Sequence, residues 1–151
     1  MPYELRPVRS PEEWHHLHHI RRTVLFTPER HSVDYDENHP DDRVEGNVPF
    51  LLLFDARPVG VFRLDLRGEV AIVRLVAVTE REQGKGHGRK LNALVEAEAR
   101  QRGVKTLRVN AAPEALGYYE KMGWQCTNWD KSELIGFAKD CIQMSKELRS
   151  A

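Results

Sequence analysis

Val78-Thr79-Glu80-Arg81-Glu82-Gln83-Gly84-Lys85-Gly86-His87-Gly88-Arg89 is the stretch around which the rest of the chain is organised. The preceding residues, 70–78, are apolar except for Arg74, as in a central strand covered on both faces. In the segment that follows, about 86–102, Leu91, Leu94, Val95 and Ala99 recur on one helical face. Glu98 lies at the edge of that stripe, and Gly103 closes the helix. A glycine-rich turn from a buried strand into a helix exposes backbone N–H groups that suit phosphate oxygens. Lys85, Arg89 and Lys90 add positive charge there, so an anionic, phosphate-bearing ligand is expected. Spacing rules out two familiar nucleotide turns. A dinucleotide fingerprint counted from Gly84 and Gly86 needs glycine where Arg89 stands, and no Gly-Lys-Ser/Thr triplet occurs.

Working outward, residues 106–110 form a strand able to return parallel to 70–78 through a helical crossover. Upstream, 50–54, 59–66 and 70–78 form an antiparallel meander, with Arg57-Pro58 and Arg67-Gly68 as its tight turns. Residues 3–8 make a first strand. Ser10-Pro11-Glu12-Glu13 then opens a helix with a serine cap, an early proline and acids in the first turn. Trp14, Leu17, Ile20 or Arg21, and Val24 give that helix a buried face. Residues 27–47 turn polar and read as a loop with at most one short helix, either functional or a plain solvated connection. Pro113 starts another helix that ends near Met122-Gly123, and 125–128 with 140–147 supply a closing antiparallel pair. The expected fold is a mixed α/β (α+β), mostly antiparallel sheet of six or seven strands with helices on both faces, residues 1–151 forming a single domain.

Composition narrows the function. Lys+Arg and Asp+Glu both number 23, and zero net charge argues against a dedicated nucleic-acid binder. No apolar run approaches the ~20 residues of a membrane span, and the first nine residues lack a secretory core, so a cytoplasmic location is expected. Cys126 and Cys141 have neither the number nor the spacing of a disulfide framework or zinc site. His15 and His19 stand at i, i+4 within the run His15, His16, His18, His19, a spacing able to bind zinc, but no third ligand is evident and no metal is expected.

Three ordered segments resemble the GNAT superfamily of N-acetyltransferases. Gln83-x-x-Gly86-x-Gly88 matches the family's pyrophosphate turn, and Leu75-Val76-Ala77-Val78 before it is similar to its fourth strand. Asn110-Ala111, Ala115 and Tyr118-Tyr119-Glu120-Lys121-Met122-Gly123-Trp124 resemble the family's Asn-Ala and Tyr-x-Lys-x-Gly segment. Ile142-Gln143-Met144-Ser145-Lys146-Glu147-Leu148 resembles its last strand. The resemblance implies acetyl transfer from acetyl-coenzyme A to an amine by direct attack in a ternary complex. It implies a bulged fourth strand splayed from the fifth, with backbone groups of Val76 and Val78 pairing the pantetheine amides. Main-chain N–H groups of Gln83, Gly84, Lys85, Gly86, His87 and Gly88 would hold the pyrophosphate, assisted by Arg89, and Asn110 would contact the cofactor arm.

Tyr119 matches the family's general acid, against a reading in which it simply packs beside Tyr118, the position matching the more buried aromatic of the pair. No acid stands on strand 70–78; Glu69 and Glu80 flank it and suit surface roles as well as water-mediated base catalysis. Arg74 either pairs with an acid of the 34–42 loop, meets the acceptor, or points to a sheet edge. Asp34, Asp36, Glu37, Asp41 and Asp42 suggest a negative field drawing a cationic amine, or ordinary surface. A homodimer is left open. The alternative to an enzyme is a non-catalytic acyl-coenzyme A-binding or sensor domain of the same fold.

Overall fold

Leu51 and Leu52 are neighbours on a strand, so their side chains leave it on opposite faces, yet they are only 1% and 0% exposed. Both faces of the sheet are therefore covered. This computed structural model describes residues 2–27 and 35–148. Among them one sheet joins β1 (Tyr3–Pro7), β2 (Asn47–Phe54), β3 (Arg57–Arg67), β4 (Val70–Val78), β5 (Thr106–Ala111), β6 (Gln125–Cys126) and β7 (Ile142–Glu147). Their order across the sheet is β1-β2-β3-β4-β5-β7-β6. Only β4 and β5 pair in parallel. The expected mixed, mostly antiparallel architecture holds.

Helix α1 (Pro11–Ile20) starts where the serine cap predicts: the Ser10 hydroxyl accepts from the Glu13 N–H at 3.1 Å, and the Glu13 carboxylate accepts from the Ser10 N–H at 2.8 Å. A π turn, Arg21–Leu25, continues it. Leu17 and Ile20 pack with Val8, Leu51, Val61 and Ala77 on one face. Helix α2 (His87–Gln101) sets Leu91, Val95 and Ala99 against Phe50, Leu52, Phe62, Leu64, Ala71 and Val73 on the other. Each such leucine contributes about 1.5–3 kcal/mol by leaving water. Helix α3 (Leu116–Lys121) follows a 3-10 turn at Pro113–Ala115, so the helix expected from Pro113 begins one turn late.

The meander turns differ in one place. The β2–β3 reversal is made by Asp55 and Ala56, with φ of 50° and 67°, while Arg57 and Pro58 already belong to β3. Two successive positive φ values are the mark of the hairpin turn that fits strand twist, a conformation usually signalled by Asn-Gly. Asp55 is a residue that such turns favour, but Ala56 stands where glycine is usual. Near the C-terminus β6 keeps only two residues, and 127–141 instead contains the 3-10 turns Lys131–Glu133 and Gly136–Ala138.

The sheet opens at its one parallel seam. β4 and β5 are in register from Val70↔Thr106 to Val73↔Val109, and then part. β5 continues along β7, with Asn110↔Gln143 and Ala111↔Ile142. β4 continues along β3, but the register slips between Val61 and Arg63, and Leu75 adopts φ 54°. That slip is a β-bulge, which bends the strand and increases its twist. Bulge and fork lie within two residues of each other.

Candidate active site

Beyond Val73 the β5-facing backbone of β4 has no strand partner, so a fork opens beside Leu75, Val76, Ala77 and Val78. Val78 leads into the glycine turn, where the Gln83 side-chain amide donates to the Val78 carbonyl at 3.0 Å. Gln83 is thus an internal brace between turn and strand. Gly84 and Gly86 take φ of 80° and 86°, conformations that a Cβ makes costly. The first helical bond of α2 runs from the Lys90 N–H to the Gly86 carbonyl at 3.2 Å, leaving the N–H groups of His87, Gly88 and Arg89 ahead of the ladder. They point out at the positive end of a 15-residue helix.

Side chains of the turn face two ways. His87 is buried, its ring between the Tyr3 hydroxyl at 2.7 Å and Glu82 at 3.3 Å. Its backbone, not its imidazole, is what the turn presents. Glu82 also takes Arg57 at 2.6 Å and Lys85 at 3.1 Å, and hydrogen bonds from those two cations hold its carboxyl down to about 2. Arg89 stays on the accessible side, exposed.

The two tyrosines of α3 stand opposite to expectation: Tyr119 is the buried one, at 7% exposure, and Tyr118 is half-buried. The Tyr118 hydroxyl donates to the Gly88 carbonyl at 2.5 Å, so it is spent on holding α3 to α2. Tyr119 packs edge-on against Trp124 and Tyr118, at centroid separations of 5.3 and 5.0 Å. Its hydroxyl makes no hydrogen bond among the described residues, and burial pushes its phenol above the ordinary range. A phenol so placed stays protonated and can donate. Asn110, at the end of the paired part of β5, has its amide fixed by Gln143 and Glu133, both at 3.0 Å.

Residues 30–148 match the family model described as "Acetyltransferase (GNAT) domain". The chain belongs to the GNAT acetyltransferase family. The Bacillus subtilis protein YyaT is 22% identical over 130 residues, covering 85% of this chain and 87% of its own. The ribosomal-protein-S18-alanine N-acetyltransferase of Escherichia coli superposes with a TM-score of 0.73 at 19% identity, covering 99% of this chain and 96% of that one. An aminoglycoside 6'-N-acetyltransferase, solved with coenzyme A, gives 0.75 at 15% identity over 100% and 99% of the two chains. At these identities the structural matches establish a shared fold.

The GNAT chain carries one feature that its sequence did not disclose. Arg21 binds Asp42 through both terminal nitrogens, at 2.7 and 3.0 Å. Asp42 also takes Arg63 at 3.1 Å, Arg63 grips Asp65 at 2.7 and 3.1 Å, and Asp65 takes Arg74 at 2.6 Å. Arg74 ends in a two-pronged pair with Glu133, at 2.9 and 3.0 Å. Arg74 does not pair with an acid of the 34–42 loop: its partners are Asp65 on β3 and Glu133 in the β6–β7 connection. Burial opposes its charge, but Glu133 and Asp65 outweigh that and raise its pKa.

The ladder also takes Asp42 out of the acidic loop's surface. Asp42 is buried between two arginines, which hold its carboxyl below the usual range against the cost of burial. Glu37 pairs with Arg22 at 2.8 Å, and Asp36 accepts the Asn38 N–H at 2.9 Å. Cations from other elements thus answer Glu37 and Asp42, while Asp36 and Asp41 stay exposed; Asp34 lies outside the described residues. Glu69 sits at the far end of β4 from the turn, exposed beside Lys105 at 3.0 Å, and Glu80 is exposed on the turn side. His15 and His19 border different clefts, of about 540 and 470 Å³, the latter also lined by Thr79 and Glu82 of the turn. Among the described residues no three His, Cys, Asp or Glu side chains are grouped to hold a metal ion, and no helix is long and apolar enough to cross a membrane.

Proposed function

We propose that this chain transfers an acetyl group from acetyl-coenzyme A to a primary amine by direct attack in a ternary complex. The observation that carries the reading is the coincidence of three features: a fork after Val73↔Val109, a bulge at Leu75, and a glycine turn whose N–H groups open beyond Val78. An extended amide-bearing arm fits the unpaired backbone of Val76 and Val78, using the Val78 N–H because its carbonyl is taken by Gln83. A pyrophosphate fits the N–H groups of Gly84, Lys85, Gly86, His87 and Gly88, with Arg89 alongside. Asn110 borders the fork and, through its fixed amide, shapes the wall met by the arm.

The amine nitrogen attacks the thioester carbonyl, the C–N bond forms and the C–S bond breaks. The departing thiolate takes a proton to give coenzyme A, and the amine loses one N–H proton. Tyr119 is the proposed donor: a raised phenol pKa keeps it protonated, and its hydroxyl is uncommitted among the described residues. The test is calorimetry with acetyl-coenzyme A followed by thiol release against a panel of amines. Saturable binding with amine-dependent release supports the reading. Binding without turnover identifies an acyl-coenzyme A sensor instead.

A further inference from the structure

The charged ladder is buried at one end and open at the other. The side chains of Arg21, Asp42, Arg63 and Asp65 are 2%, 4%, 6% and 3% exposed, whereas Arg74 and Glu133 reach 25% and 24%. The signs alternate along it, so the open end is a carboxylate, and that carboxylate stands at the fork. Arg74 and Asn110 are the first residues after the last opposed pair, Val73↔Val109, and Glu133 binds both. One carboxyl group therefore spans the point where β4 and β5 separate.

Its hydrogen bonding is incomplete in a defined way. Oε1 accepts from Arg74 Nη1 at 2.9 Å and from Asn110 Nδ2 at 3.0 Å, while among the described residues Oε2 accepts only from Arg74 Nη2 at 3.0 Å. A carboxylate offers about four acceptor sites, so Oε2 retains one. Arg74 and Asn110 fix the plane of the group, and Gln143 in turn fixes Asn110. Other carboxylates nearby cannot serve: Asp65 is enclosed by Arg63 and Arg74, and β4 itself bears no acid.

We infer that Glu133 receives the protonated amine of the acceptor through Oε2 and holds it at the fork. The acceptor class is then a primary amine that is cationic at neutral pH. This inference rests on the acetyltransferase reading. A preoriented carboxylate is matched to an ammonium N–H, and a charge-assisted bond of this kind is roughly twice as strong as a neutral one. Glu133 binds and orients; the proton that the amine sheds leaves to solvent.

The experiment compares 2-phenylethylamine, protonated at neutral pH, with O-benzylhydroxylamine, which is nearly the same shape and uncharged there; ethylamine and methoxyamine serve as a second pair. Thiol release is followed for the parent chain and Glu133→Gln, and acetyl-coenzyme A binding is measured separately by calorimetry. The inference expects Glu133→Gln to raise KM for the protonated member of a pair at least tenfold more than for the uncharged member, with kcat falling less than KM rises. A carboxylate that only anchors the 127–141 connection would penalise both members alike. Equal penalties, no penalty, or a parent chain that binds acetyl-coenzyme A but turns over only uncharged amines would each overturn the inference. Absent acetyl-coenzyme A binding in the parent chain would overturn the acetyltransferase reading itself. If Glu133→Gln folds poorly, Glu133→Asp is measured instead: shortening the reach must produce the same split between charged and uncharged amines, and its absence counts against the role.

Discussion

The Tyr118 hydroxyl and the Gly88 carbonyl, 2.5 Å apart, tie α3 to the first turn of α2. A Cβ at Gly88 would lie in contact with Tyr118 Cε1 at 3.4 Å, so the methyls of a branched side chain there would crowd the ring. Gly86 is required for another reason: its Cβ would meet nothing within 4 Å, but φ is 86°. Gly88→Val should displace Tyr118, and Gly86→Val should strain the backbone by about 1–3 kcal/mol. Both are expected to raise the Kd for acetyl-coenzyme A by about tenfold or more, measured by calorimetry on variants whose far-UV circular dichroism matches the parent. Parental affinity in either folded variant would remove the turn from the binding site.

Tyr119 and Tyr118 should separate in kinetics. Tyr119→Phe is expected to lower kcat by about 10²-fold with the Kd for acetyl-coenzyme A unchanged, the scale of a lost general acid. Tyr118→Phe removes only the bond to Gly88 and should cost about 1 kcal/mol of stability, with a smaller effect on turnover. A kcat loss that follows Tyr118 instead would reassign the acid.

Glu82 gives a pH signature. Its folded pKa is lowered from 4.5 to about 2, so its ion pairs stabilise the fold fully above about 4.5 and are lost as pH falls toward 2. Thermal melts across that window should show a declining Tm, and Glu82→Gln should flatten the decline while lowering Tm at neutral pH. A variant that keeps the parental slope would show that the acid sensitivity arises elsewhere.

Asp41 and Asp42 are adjacent acids with different fates. Asp42 is buried between Arg21 and Arg63, and Asp42→Ala leaves two arginines facing each other, a loss of about 3–5 kcal/mol. Asp41 is exposed beside His39, and Asp41→Ala should stay within about 0.5 kcal/mol. Denaturant unfolding of the two variants reads the contrast directly; equal stabilities would mean that the ladder contributes little.

The contrast also shows why one part of the molecule was readable and another was not. The turn, α1 and α2 rest on local chemistry: a capping box within four residues, apolar spacing along a helix, and glycines at positive φ. The fork was reached through the family resemblance, and the bulge that helps to create it, at Leu75, carries no glycine to announce it. The ladder is long-range in three of its five steps, the exceptions being Arg63 to Asp65 and Asp65 to Arg74. Arg21 meets Asp42 across 21 residues and Arg74 meets Glu133 across 59, so each charge reads alone as surface. Asp42 read as part of an acidic loop because its cations come from the π turn and β3. The expected order of the tyrosines rests on the family resemblance, and α3, only six residues long, is too short for periodicity to say which ring turns inward.

The central claim is tested most directly by mixing the purified chain with acetyl-coenzyme A and a panel of primary amines, and following thiol release together with mass spectrometry of the amine. The account predicts amine-dependent release with one acetylated amine formed per thiol, lost in Gly86→Val through weaker cofactor binding and in Tyr119→Phe through slower turnover. Saturable acetyl-coenzyme A binding with no acetylated amine from any member of the panel, or no binding at all, would contradict it.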